Sequence, residues 1–310
     1  MKEQTKGLIF GGFSYILWGI LPLFWKSLSH VDSYIVFSVR ILSTIVTMGI
    51  YVWISGSGKR FKKELTRLWQ AKKELGRAIL AGFLIACNWL VYIWAVAHGQ
   101  ATEASLGYYI MPLLSVFLAT VFLKERLSFL LKVAIVLALI GLAILVLQDG
   151  KLPIVSVILA ITFSFYGLIK KEIHLSSDVS MLVEALVVAP VAVGILGVKS
   201  GQVVVGLDVW TGLCFLLSGV ITIVPLLLFS EAVKRAPLSL IGFLQYLNPT
   251  IQLALAVLVF GEVVSAGKFQ GFSFIWLALA CSIMDSIRKQ VLIRKISSKK
   301  GDSFWKRSWM

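Results

Sequence analysis

The chain has 310 residues, of which 58% are hydrophobic and only 15% are charged. A soluble chain carries about a quarter charged residues, so this one has too little polar surface to face water, and lipid must cover the rest. The net charge of +15 does not indicate nucleic-acid binding, because the basic residues lie between apolar runs and at the C-terminus, where they meet anionic lipid. The three cysteines have no paired spacing, so no disulfide, no metal site and no cofactor is predicted.

Ten apolar runs follow one another along the chain, each close to the twenty or so residues that a helix needs to cross the hydrocarbon. They lack the alternating polarity that is typical of barrel strands. The sequence therefore predicts an all-α membrane protein with ten transmembrane helices. The predicted spans are residues 7–26, 34–55, 78–97, 103–123, 128–147, 152–169, 179–198, 209–232, 238–260 and 269–289.

The lysines and arginines predict the direction in which these spans run. If the N-terminus is cytoplasmic, 25 of the 30 basic residues fall in cytoplasmic segments and 4 in outer ones, with Arg40 inside a span. Basic residues are enriched in cytoplasmic loops, so both termini are predicted to be cytoplasmic.

The longest connection, residues 56–77, is predicted to be an amphipathic helix that lies on the inner leaflet. Its apolar residues recur at helical spacing between lysines and arginines, which is the pattern of an interfacial helix. These apolar residues are Phe61, Leu65, Leu68 and Trp69.

An internal repeat relates the two halves of the chain at a constant offset of 137 residues. Tyr109 matches Tyr246, and Pro112 matches Pro249. With five spans in each half, the second half must insert in the opposite orientation. Inverted repeats are typical of secondary transporters, whose site lies near the midplane between the halves. The predicted organisation is a first five-helix repeat (residues 1–147), a second, inverted repeat (148–290) and a basic cytoplasmic tail (291–310).

Three stretches of the sequence resemble a known family of membrane transporters. NWLVYIWAVAHGQATEASLGYYIMPLLSVFLATVFLKERLS (residues 88–128) resembles the EamA branch of the drug/metabolite transporter superfamily. SFYGLIKK (164–171) and PLLLFSEAVKRAPLSLIGFLQYLNPT (225–250) narrow the resemblance to the RarD-type permeases. The resemblance implies a fold of two five-helix EamA repeats in the bacterial cytoplasmic membrane, but it implies no particular substrate.

The sequence departs from the family pattern at three positions. Ile35 and Val39 stand before Arg40 where the pattern has Glu and His, and Met111 stands before Pro112 where the pattern has Asn. A function that needs a carboxylate beside Arg40 is therefore not expected for this chain.

Polar and aromatic side chains inside the apolar spans are the candidates for a substrate cavity. A charge at the centre of a membrane helix costs ~2.5–3.5 kcal/mol, so Arg40 either anchors an anionic substrate group or is accommodated by snorkelling or a structural pair. Gln245 and Asn248 precede Pro249, whose missing N–H frees a carbonyl one turn earlier and favours a polar notch. The candidate cavity residues are Trp18, Arg40, Asn88, Trp89, Tyr92, Gln245 and Asn248.

The carboxylates suggest one candidate for coupling transport to protons. Glu184 lies about two turns inside the seventh span, where it either binds a proton during transport or makes a structural hydrogen bond. Glu125, Glu231 and Glu262 fall at span ends and are predicted to be interfacial.

The leading functional hypothesis is a permease that moves a small metabolite or drug-like molecule by alternating access, with proton-coupled efflux as its more specific form. The alternative is a non-transporting membrane sensor or assembly component. Enzymatic activity is not predicted, and no catalytic residue is assigned, because His30, His98 and His174 lie at loops or span ends. The partners that the sequence predicts are a small-molecule substrate and membrane lipid, and a homodimer stays open beside a monomer.

Overall fold

The computed structural model of the chain describes residues 3–28, 30–97, 101–149, 154–199, 208–258 and 265–307. All regular secondary structure within these ranges is helical. His98 and Glu262 lie outside the described residues. The helices are α1 (Glu3–Lys26), α2 (Ser33–Ile54), α3 (Gly58–Gln70), α4 (Lys72–Ala97), α5 (Ala101–Phe122), α6 (Phe129–Asp149), α7 (Ile154–Glu172), α8 (Ser177–Val198), α9 (Val209–Arg235), α10 (Leu238–Leu244), α11 (Leu247–Leu258) and α12 (Ala266–Arg307).

Eight of these helices are long and apolar enough to cross a membrane, namely α1, α2, α4, α6, α7, α8, α9 and α12. Helix α5 adds a shorter apolar segment, Gly107–Phe122. Large apolar side chains such as Phe13, Val46 and Leu216 are more than half exposed. Such exposure is expected where lipid rather than water covers the helices. The protein is therefore an all-helical, multi-pass membrane protein, and the count of ten spans stays a prediction.

The predicted ninth span, residues 238–260, is not one continuous helix. It divides at Gln245 and Tyr246 into α10 and α11, and the break lies one turn before Pro249, which cannot donate to the carbonyl of Gln245. The backbone N–H of Asn248 donates to that carbonyl instead, at 3.0 Å. The proline therefore interrupts the helix within this span.

Two predicted connections differ from the structure. The predicted amphipathic helix over residues 56–77 is shorter, because α3 ends at Gln70 and residues from Lys72 onward belong to α4. Phe61 and Leu68 of α3 are buried, whereas Trp69 is 73% exposed. Helix α7 runs past the predicted end at residue 169 to Glu172 and so carries Lys170 within it.

The helices form two compact units, one of α1–α5 with α7–α11, and the other of α6 with α12. In the first unit Gly219 of α9 lets two helices approach closely, because a Cβ there would lie 2.4 Å from the carbonyl oxygen of Ser43. In the second unit Gly141 plays the same part, since its Cβ would lie 2.7 Å from the carbonyl oxygen of Gly271. Such small-residue contacts are how membrane helices gain packing energy without a hydrophobic driving force.

Candidate functional site: a polar cavity inside the first unit

All seven candidate cavity residues line a single cavity inside the first unit. The cavity has a volume of about 80 Å³, counted as the space open to the centres of water molecules. This volume is enough for several waters or one small polar molecule. Helices α1, α2, α4, α5 and α7 and the α10–α11 break contribute to its wall. Besides Trp18, Arg40, Asn88, Trp89, Tyr92, Gln245 and Asn248, the lining residues are Tyr15, Leu21, Pro22, Trp25, Tyr108, Met111, Phe163 and Gln252.

Arg40 is held in the wall by two indole rings and one hydroxyl. Its guanidinium carbon lies 3.9 Å from the ring centroid of Trp89 and 5.0 Å from that of Trp25. Its Nε donates to Oγ1 of Thr222 at 2.7 Å. A guanidinium is weakly hydrated and stacks well on aromatic faces, which explains how α2 keeps a cation 9% exposed in an apolar span.

Asn88 both lines the cavity and joins two helices. Its Nδ2 donates to the carbonyl oxygen of Leu159 and to Oγ1 of Thr162, each at 2.9 Å. Both amide protons therefore fix α4 against α7, and the side-chain carbonyl remains for the cavity. In this geometry Asn88 can bind a ligand and join two helices at the same time.

The α10–α11 break brings three amide side chains to the cavity. Nε2 of Gln245 donates to the sulfur of Met111 at 3.0 Å, and Nε2 of Gln252 donates to Oδ1 of Asn248 at 2.8 Å. Gln245 is 2% and Asn248 5% exposed. Met111 therefore meets Gln245 at the position where the family pattern has Asn, which replaces an amide partner by a thioether.

Five aromatic rings pack together beside the cavity, and we call them the aromatic cluster. Phe163 lies 5.6 Å from Trp18 and 5.3 Å from Phe229 between ring centroids. Tyr166 stacks on Phe229 at 5.9 Å with an interplanar angle of 14°. The members of the cluster are Tyr15, Trp18, Phe163, Tyr166 and Phe229.

Glu184, the candidate coupling carboxylate, does not line the cavity. It lies on the far side of the aromatic cluster, where Lys170 donates to it at 2.7 Å, Ser180 at 2.7 Å and Tyr166 at 3.0 Å. The side chains of Lys170 and Glu184 are 1% and 5% exposed. The predicted end of this span at residue 169 is wrong, because α7 continues to Glu172 and carries Lys170 into the bundle.

The end of the unit where α7 and α9 finish and α8 and α10 begin is rich in basic residues, and we call it the basic end. Lys171 donates to the carbonyl oxygens of Val233 and Ala236 at 2.9 and 2.6 Å, which satisfies the C-terminal carbonyls of α9. Arg235 contacts both Glu231 and Glu3. The basic residues at this end thus tie α1, α7 and α9 together.

Glu125 has a role at the basic end that the sequence analysis missed. It accepts hydrogen bonds from the backbone N–H groups of Leu238 and Ser239, at 2.8 and 3.2 Å, and from the Ser239 hydroxyl at 2.7 Å. Pro237 at the N-cap of α10 offers no capping side chain, so the cap comes from a carboxylate 113 residues away. In the sequence, the one indication of such a cap is that Pro237 has no side chain able to cap α10.

At the opposite end of the unit, Asp32 caps the N-terminus of α2 and contacts Lys199 at the end of α8. Burial disfavours the charged form of Asp32. The hydrogen bonds from Lys199 and from the N–H groups of Tyr34 and Ile35 outweigh that effect and lower the pKa of Asp32 below its ordinary value. Asp32 is therefore an ionised helix cap at neutral pH.

The EamA-like transporter family matches residues 5–147 of the chain. The uncharacterized transporter YojE of Bacillus subtilis is 42% identical over 288 residues, which cover 89% of this chain and 93% of that protein. Protein RarD of Escherichia coli is 34% identical, over 93% of this chain and 97% of that protein. The chain belongs to the EamA-like transporter family. Its RarD-like relatives confirm the resemblance found in the sequence, and the chain is a bacterial multi-pass membrane protein of a permease family.

A solved structure agrees with the fold. A crystal structure of a protein that is 19% identical superposes with a TM-score of 0.68 and covers 90% of this chain and 97% of its own. At that identity the likeness concerns the helical architecture alone.

Proposed function

We propose that this member of the EamA-like family is a secondary carrier that moves a small metabolite or drug-like molecule across the bacterial cytoplasmic membrane by alternating access. The observation that carries the proposal is the cavity, which polar residues line although the helices around it are apolar enough to span lipid. Polar groups inside a membrane are costly and commonly mark a substrate path. The seven predicted residues are proposed to contact the substrate.

The proposal includes ten spans arranged as two inverted five-helix repeats. A contact between equivalent residues supports this arrangement, because the hydroxyl of Tyr246 donates to the carbonyl oxygen of Tyr109 at 3.3 Å. Two equivalent residues can touch each other only near the axis that relates the halves. Tyr108 and Gln245, a further pair at the same offset, both line the cavity, as expected of a site at the midplane between repeats.

We propose that the basic end is cytoplasmic and that both chain termini lie on that side. The positive-inside rule supports this orientation. The aromatic cluster then separates the cavity from the cytoplasm, with the Lys170–Glu184 pair behind it. In alternating access this arrangement corresponds to a state that is closed toward the cytoplasm.

Flux through reconstituted vesicles tests the proposal. Liposomes with the protein and protein-free liposomes are incubated with a metabolite extract, and the solutes inside are measured by mass spectrometry. We expect at least one solute to enter saturably. Asn248→Leu, which removes an amide from the cavity, should abolish that flux, whereas Trp53→Leu, at a residue that is 82% exposed, should preserve it.

Other outcomes of the vesicle experiment would contradict a carrier. Specific ligand binding without flux would indicate the alternative, a sensor or assembly component. Flux that never saturates would indicate a channel, and a chemically altered solute would indicate an enzyme.

Proton-coupled efflux is the more specific form of the proposal, with Glu184 as the coupling group. Lys170 and Glu184 carry opposite charges, and a paired charge fits an apolar interior better than a lone one. The double variant Lys170→Met/Glu184→Met removes both charges together. If Glu184 couples transport, this variant loses the dependence of flux on a pH gradient, and unchanged dependence would exclude Glu184 from coupling.

A further inference from the structure

Arg40 is a membrane-embedded cation whose charge is not balanced within the part of the chain that the structure describes. Its one hydrogen bond there goes to Thr222, a neutral residue, and none of the described ion pairs includes it. The residues that line the cavity contain no aspartate or glutamate among those described. By contrast, Lys170, which with Arg40 is the most deeply buried cation among the described residues, contacts Glu184. A cation in a low-dielectric site stabilises an anion that enters the same site.

The orientation of Arg40 leaves its bonding edge free. Trp89 and Trp25 contact the guanidinium through their rings, and Thr222 accepts from Nε. The two terminal nitrogens, Nη1 and Nη2, have no hydrogen-bond partner among the described residues. A guanidinium presents paired N–H groups in a planar fork that matches the two oxygens of a carboxylate. Because the rings fix the plane and the threonine fixes the rotation, the fork is held ready before a ligand arrives.

The groups around Arg40 also favour an anion. Tyr92 and Tyr108 line the same cavity as Arg40, and their rings are 6.0 Å apart. No described residue pairs with either hydroxyl, so both O–H groups can donate to a ligand oxygen. Asn88 adds no donor for a ligand, because its amide nitrogen already donates to two residues of α7.

Besides the amides of Gln245, Asn248 and Gln252, the cavity wall has an apolar part. Trp18 and Phe163 face it from α1 and α7, and Leu21, Pro22 and Met111 contribute further apolar surface. Aromatic walls of this kind bind planar apolar groups through stacking or edge contacts. The small free space of about 80 Å³ favours a compact ligand.

We propose that the transported molecule is a small organic carboxylate with a planar apolar body. The carboxylate binds the paired Nη groups of Arg40, with the hydroxyls of Tyr92 and Tyr108 beside it, and the body packs against the rings of Trp18 and Phe163. This inference rests on the proposed transport function, because it names the class of substrate for the same cavity.

Binding to the purified full-length protein in detergent tests the substrate class separately from transport. The probes are benzoate, its neutral counterpart benzamide and the cation benzylammonium, titrated by calorimetry near neutral pH. We expect benzoate to bind more tightly than either of the others. Arg40→Gln should weaken benzoate binding at least about tenfold, as the loss of charge-assisted hydrogen bonds does, and Arg40→Lys should weaken it less.

Arg67→Gln is the matched control, because it makes the same substitution at an exposed arginine of α3 that does not line the cavity. It should leave benzoate affinity unchanged. The monodispersity of each variant on a sizing column verifies folding, and Arg40→Lys keeps the test valid if Arg40→Gln does not fold.

Three results would overturn the proposed substrate class. These are binding of benzamide or benzylammonium as tight as that of benzoate, benzoate affinity that is unchanged in both Arg40 variants, and no binding of any of the three probes. Saturable flux of neutral or cationic solutes together with any of these results would leave the carrier function standing. Absence of all saturable flux in vesicles would remove the carrier function instead.

Discussion

The two ends of the first unit differ in the number of ion pairs that hold their helices together. At the basic end, Arg60, Arg77 and Arg235 each contact a carboxylate, and the buried Lys170–Glu184 pair lies just inside. At the opposite end, the ion pair among the described residues is Asp32 with Lys199. Helix α8 runs between the two ends, from Asp178 at the first to its C-cap Lys199 at the second. The difference indicates that ion pairs stabilise this conformation mainly at the basic end.

In a carrier only one side of the cavity opens at a time. Contacts that hold one end closed therefore affect which state is populated. Each contact that exists only in the closed state of the basic end shifts the population toward that state by its own free energy. Variants at the two ends should therefore differ in how much stability they lose.

The largest effect is expected at the buried pair. Lys170→Met alone leaves the Glu184 carboxylate in an apolar interior without its cation, which should cost about 3–5 kcal/mol. The apparent unfolding temperature in detergent measures the loss. Lys170→Met/Glu184→Met should regain most of it, because no uncompensated charge remains. A single variant as stable as the wild type would show that the pair does not fasten the basic end.

An intermediate effect is expected at Glu125. Glu125→Ala removes the cap of α10 and should cost about 1–2 kcal/mol, as the loss of an N-cap does. Glu172→Ala is the control, because Glu172 is a carboxylate of the same end that is 40% exposed, contacts Arg77 and caps no helix. Equal unfolding temperatures for the two variants would contradict a capping role for Glu125.

The smallest effect is expected at the opposite end and depends on pH. The pKa of Asp32 in the folded protein is below its ordinary value of 3.8, so the ion pair with Lys199 stabilises the fold fully above about that pH. The contribution is lost as the pH falls through the lower, folded value. Because the pair is partly exposed, the loss should stay below about 1 kcal/mol.

Asp32→Asn supplies the reference for this pH dependence. The difference in unfolding temperature between the wild type and Asp32→Asn should be present at neutral pH and shrink toward the acid limit. A difference that grows on acidification would have the wrong sign for a carboxylate with a lowered pKa.

The cavity could be predicted from the sequence because polar residues are rare inside apolar spans. Asn88, Gln245 and Asn248 stand out there, and in lipid such side chains face the protein interior. Helical spacing then brought Trp89 and Tyr92 into the same set. The assignment required no knowledge of which helices are neighbours.

The ion pair and the helix cap at the basic end could not be predicted in the same way. A lysine near the end of a span normally extends to the headgroups, so Lys170 gave no sign that it would be buried against Glu184. The cap that Glu125 supplies to α10 joins residues 113 positions apart, and no local pattern encodes such a pairing. Both features depend on which helix ends meet, which only the packed structure reveals.

The contact between Tyr246 and Tyr109 has a consequence for the opposite-facing state. If the halves exchange their conformations during the cycle, each residue takes the place of its equivalent. The phenol of Tyr109 would then donate to the backbone carbonyl of Tyr246, and the present bond would be released. The same two residues would thus form alternative hydrogen bonds, one in each state of the proposed transport cycle.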